Sequence, residues 1–81
     1  MNNILIEKIL EIINDNIENS EIDITQIDED LITLGMDSIV FIKIVVALEE
    51  TFQCEIPDSK LLISKMNTVN KIFMVLDSIE K

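Results

Sequence analysis

The chain has 81 residues, nearly half of them apolar, and a net charge of -10 from sixteen carboxylates against six lysines and no arginine. That length bounds it to one small domain with a thin core, and that apolar content argues against a disordered chain. The charge repels nucleic acid and anionic lipid and suits a soluble protein whose partners present basic surfaces.

One Gly, one Pro, no Trp and no Tyr, with Ile, Leu and Val dominant, favour helices with aliphatic packing over a turn-rich β protein. A single cysteine, Cys54, excludes an internal disulfide and a cysteine metal cluster. No stretch reaches the length of a membrane-spanning helix, and the opening "MNNILIEKILEII" lacks a basic start and a small-residue cleavage site. Together these point to a cytoplasmic protein, and residues 1–81 read as one domain.

In chain order, Ile6, Ile9, Leu10, Ile13 and Ile17 fall on one helical stripe. They predict helix I over residues 3–17, capped by Asn2 or Asn3. Residues 18–37 crowd carboxylates and do not hold helical spacing. They read as a long ordered loop pinned to the core by Ile22, Ile24, Ile27, Leu31 and Leu34, with residues 18–30 a solvated acidic stretch. Gly35, the only glycine, supplies a backbone shape that other residues resist.

Helix II is predicted over residues 38–51, followed by Phe52. Pro57 breaks the chain, and Asp58 or Ser59 caps a short third helix through "KLLISK". Thr68 caps the last helix, whose stripe is Val69, Ile72, Phe73, Leu76 and Ile79. The expected fold is all-α: a small four-helix bundle, three longer helices and one short third helix, with a long loop between helices I and II.

Helix II carries two apolar stripes. Phe41, Val45, Leu48 and Phe52, with Ile44 at the edge, meet the core. Ile39, Ile42 and Val46 form a second stripe rotated by roughly a third of a turn or more, flanked by Lys43, Glu49 and Glu50. If helix II lay centrally, both stripes would be core. A chain this short surrounds such a helix poorly, so the second stripe is expected to be partly exposed as a docking surface.

Asp37 and Ser38 stand where the N-cap of helix II belongs. Ser38 as a nucleophile would need a base, and the chain has no histidine and no lysine adjacent to it. Cys54 likewise lacks a histidine partner and reads as a small packing residue. "DEDLITLG" lacks the spacing of a calcium loop. An enzyme is therefore not expected, and no metal site is. The serine suits modification by another protein that brings its own catalyst.

"DEDLITLGMDSIVFIKIVVALEETFQCEIPD" followed by "NTVNKI" resembles an acyl or peptidyl carrier protein over nearly the whole chain. The resemblance runs through Asp28, Leu31, Leu34, Gly35, Asp37 and Ser38, then "ALEETF" and "EIPD". It implies a covalent 4'-phosphopantetheine on Ser38, with Asp37 beside it for recognition by a phosphopantetheinyl transferase. The arm's thiol would hold acyl, aminoacyl or peptidyl cargo as a thioester. Helix II would dock on a loading enzyme and on downstream biosynthetic enzymes through Met36, Ile39, Ile42, Lys43, Val46 and Glu50. A carrier that shuttles in this way is expected to be a monomer.

Val40 and Lys43 depart from the acidic residues usual in fatty-acid carriers. Helix II thus looks closer to free-standing carriers of peptide or polyketide assembly. The competing reading is a non-catalytic adaptor that binds a partner helix along the same strip without a cofactor. The two readings share one fold.

Overall fold

The structure, a computed structural model, describes residues 3–17 and 21–79, with side chains from residue 5 onward. Three α-helices carry the architecture: α1 (Asn3–Asn16), α2 (Ser38–Phe52) and α3 (Val69–Ile79). No strand occurs among the described residues. The all-α class expected from composition is what forms.

Helix α1 is the central element and packs against both α2 and α3. Its predicted stripe of Ile6, Ile9, Leu10, Ile13 and Ile17 is buried, and so are Leu5 and Ile12. Those two widen the buried arc beyond one stripe, as a helix with neighbours on two sides requires. The central position is thus taken by α1, which leaves one side of α2 without a helix against it. The expected cap at Asn2 or Asn3 lies outside the residues whose side chains are described.

The segment between α1 and α2 holds two 3-10 turns, Ile24–Gln26 and Leu31–Leu34. Asn14 clasps its start with a reciprocal pair of bonds: its Nδ2 donates to the Ile22 carbonyl at 2.9 Å, and the Ile22 amide donates to its Oδ1 at 2.8 Å. Asp23 caps the first turn in a capping box with Gln26. Hydrogen bonds from Thr25, first its side chain and then its backbone, hold the exposed Asp23 carboxyl below its ordinary pKa. Farther on, the Leu31 amide donates to the Asn67 carbonyl at 2.7 Å and the Asn70 amide to the Ile27 carbonyl at 2.9 Å. The segment is thereby tied to the start of α3.

Ile22 and Leu31 pin this segment to the core as expected, and Ile27 and Leu34 pack partly against it. Ile24 does not: at 52% exposure it projects to solvent. The first turn has no buried residue, because its geometry rests on the Asp23 cap rather than on burial.

The expected short third helix is replaced by two single 3-10 turns, Asp58–Lys60 and Ile63–Lys65. Neither has a side-chain cap; Pro57 occupies the cap position of the first, and Asp58 already lies within the turn. Without capping and with so few residues, the stretch cannot repay helix nucleation. Ile56 and Met66 fasten its two ends in the core.

Thr68 caps α3 as expected: its Oγ1 accepts from the Lys71 amide at 3.1 Å. Of the predicted stripe, Val69, Ile72 and Leu76 are buried and Phe73 and Ile79 pack partly against the core; Val75 is buried as well.

Candidate functional site

The approach to α2 is a sequence of four residues with four different jobs. Gly35 ends the second 3-10 turn at φ 116°, and its amide donates back to that turn. A Cβ there would lie 3.3 Å from Ile17 Cγ2, so both the backbone angle and the closeness of the Ile17 side chain, just past α1, favour glycine. Met36 follows, with its amide on the Leu31 carbonyl at 3.0 Å and its side chain buried at 2% exposure. Asp37 then turns outward in extended geometry, and its Oδ1 accepts from the Val40 amide at 2.8 Å. Such a cap contributes about 1 kcal/mol. Ser38 is the first residue of α2 and is exposed.

Met36 was expected at a partner surface and is instead a core side chain. Its burial is the anchor that makes the next two residues face outward. An apolar plug, a cap and a helix start in succession leave the Ser38 side chain outside the packed interior. Among the described residues its hydroxyl has no hydrogen-bonding partner.

Along α2 the two stripes separate as the periodicity requires. Phe41, Ile44, Val45 and Leu48 are buried. Ile44, placed at the edge of the core stripe by sequence, is fully enclosed at 0%. On the other side Ile39 is 66% exposed, Ile42 61% and Val46 48%. Lys43 and Glu50 are exposed beside them. Glu49 departs from the border role expected of it. It is half-buried, and its Oε2 accepts from the Ile56 amide at 2.9 Å, which clasps the chain leaving α2.

Helix α2 ends at Gln53, in left-handed geometry at φ 51°, and Cys54 packs partly against the core. Sequence reasoning also passed over Ile32, exposed in the turn that leads to Gly35. No periodicity marks it, because a single 3-10 turn is too short to show one.

The site's chemistry follows from this placement. The N-terminus of α2 carries unsatisfied amides and the positive end of the helix dipole, which favours an anionic group attached at its first residue. A hydroxyl in that position, exposed and followed by solvent-facing aliphatic residues, is open to a phosphoryl donor and a base that another protein would bring to it. The donor set therefore fits a phosphate-linked prosthetic arm. No three His, Cys, Asp or Glu side chains gather as a metal site among the described residues. No described helix is long and apolar enough to cross a membrane.

A family model described as the phosphopantetheine attachment site matches residues 7–72. The match runs from α1 into α3 and includes the Gly35–Ser38 approach. The chain belongs to this family: it is a carrier that bears covalent 4'-phosphopantetheine, and not an enzyme. That assignment separates it from a cofactor-free adaptor, which the helical fold alone would also allow. No solved structure matches the chain at a significant level.

Proposed function

We propose that Ser38 Oγ bears the arm and that the carrier presents acyl, aminoacyl or peptidyl cargo to enzymes of peptide or polyketide biosynthesis. The observation that carries this reading is the exposed serine at the first position of α2, directly after the capping Asp37. On this reading a phosphopantetheinyl transferase supplies the base that takes the Ser38 proton. The Oγ–phosphorus bond forms as the pyrophosphate bond of coenzyme A breaks, and adenosine 3',5'-bisphosphate leaves. The arm, once attached, supplies a terminal thiol that holds cargo as a thioester.

The chain's own residues position and present. Asp37 holds the start of α2 through the Val40 amide, so Ser38 meets the transferase in one geometry. Ile39, Ile42 and Val46 offer an apolar strip, and Lys43 and Glu50 set its charge pattern for the transferase, the loading enzyme and the downstream enzymes. The apolar strip and the lysine support the peptide or polyketide setting over primary lipid synthesis, where an acidic helix is usual. The carrier works as a cytoplasmic monomer that touches neither nucleic acid nor membrane.

Intact mass tests the attachment. Incubation with coenzyme A and a promiscuous transferase should add one phosphopantetheine, and Ser38→Ala should abolish the gain while leaving the helical circular dichroism unchanged. A gain retained in Ser38→Ala would move the site elsewhere. For the docking strip, Lys43→Glu should change the relative turnover with different partner enzymes more than it changes unfolding. Equal turnover with every partner at matched stability would count against the strip as a determinant of partner choice.

A further inference from the structure

Three of the chain's six lysines, Lys60, Lys65 and Lys71, converge on one groove of about 350 Å³. Ser64, Met74 and Val75 complete its lining, which contains no carboxylate. In a chain with sixteen carboxylates and a net charge of -10, this is a local reversal of sign. Lys60 and Lys65 each end one of the two uncapped 3-10 turns, and Lys71 lies in the first turn of α3.

Two of the three ammonium groups, those of Lys65 and Lys71, are held by hydrogen bonds to neighbouring oxygens. Lys65 Nζ donates to the Ser59 carbonyl at 3.1 Å. Lys71 Nζ donates to the Ser64 carbonyl at 3.3 Å and to Asn67 Oδ1 at 3.0 Å. An ammonium has three donors, so each of these keeps at least one for an outside acceptor. None of the three lysines is paired with a carboxylate among the described residues. Met74, 62% exposed, adds an apolar wall.

We propose that this groove is a second protein-docking surface, which takes an acidic partner segment with an apolar residue seated against Met74. It is built from the 3-10 turns and α3 and uses no residue of α2. Charge complementarity selects the occupant. The rest of the chain repels carboxylates, so an acidic segment is steered to this groove and to one orientation there. The exposed methionine selects a segment with an apolar side chain over a small inorganic anion. The proposal does not depend on whether Ser38 bears the arm.

The test uses the full chain, labelled with nitrogen-15, and a peptide of alternating glutamate and leucine. Saturable amide shifts are expected at Lys60, Ser64, Lys65 and Lys71, with Ile39, Ile42 and Val46 unmoved. The Lys60→Gln/Lys65→Gln/Lys71→Gln variant should bind roughly tenfold more weakly, as should the wild-type chain at about 0.5 M salt. A Lys8→Gln variant, which removes charge elsewhere, should bind as the wild type does. The proposal is overturned by absent or unsaturable shifts, by shifts centred on α2, or by an equal response to the peptide with lysine in place of glutamate. It is equally overturned if inorganic pyrophosphate binds as tightly, which assigns a small-anion site. Concentration-dependent shifts at these residues without peptide would assign the groove to a second copy of the chain and overturn it too.

Discussion

At Gly35 the chain makes a turn that residues with a Cβ resist, at φ 116°, with Ile17 of the segment leaving α1 close by. Gly35→Ala should lower stability by about 1–2 kcal/mol through backbone strain and displace the Met36 plug. Urea unfolding measures the first effect. Slower modification of Ser38 at matched folded fraction measures the second, and an unaltered midpoint would remove Gly35 from the account. Asp23 makes a pH-dependent contribution of defined sign. Its folded carboxyl sits below its ordinary value, so its stabilising effect is present above the unfolded pKa and is lost as pH falls through the folded one. The Thr25 amide shift should follow that titration, with a midpoint below that of an unstructured aspartate. Of the two, Gly35 stands out in sequence as the only glycine, whereas Asp23 is one carboxylate among sixteen. Only the first could be assigned a structural job there, because the turn that Asp23 caps is three residues long and has no helical stripe to mark its start.

At the scale of elements, α2 is a helix with one face committed to the core and another free for contacts. Ile42 and Ile44 are two residues apart and chemically identical, yet one is 61% exposed and the other fully enclosed. Ile44→Ala should cost about 2–5 kcal/mol. Ile42→Ser should change stability by no more than about 0.5 kcal/mol while weakening association with a partner enzyme. Paired unfolding and binding titrations check this, and comparable unfolding losses in the two variants would erase the two-face division. The two stripes were legible from helical periodicity, and the exposure of the second was expected from the shortness of the chain. The stretch after Pro57 was not legible, because spacing cannot distinguish a short helix from two separate turns when neither length nor capping favours either.

For the whole molecule, charge is the dominant global term. Sixteen carboxylates against six lysines repel one another in the folded state more than in the expanded chain. Raising salt from about 0.02 to 0.5 M should therefore raise the melting temperature, since screening acts on exposed charges. A melting temperature that falls with salt would mean that net attraction between unlike charges outweighs this repulsion. The same excess makes the Lys60, Lys65 and Lys71 groove conspicuous, since a basic surface on an acidic carrier has a strong orienting effect on what approaches.

Composition and periodicity determined by themselves that this chain is all-helical, that α2 has two apolar faces, and that Asp37 and Ser38 stand at its N-terminus. Those are local properties, set by repeats of about 3.6 residues and by the chemistry of short side chains beside backbone amides. Tertiary structure decided that α1 rather than α2 lies at the centre, that Met36 is an anchor and Glu49 a clasp, and that three lysines from separate turns share one groove. Each of those depends on which distant segments meet, and no pattern within a single segment carries that information.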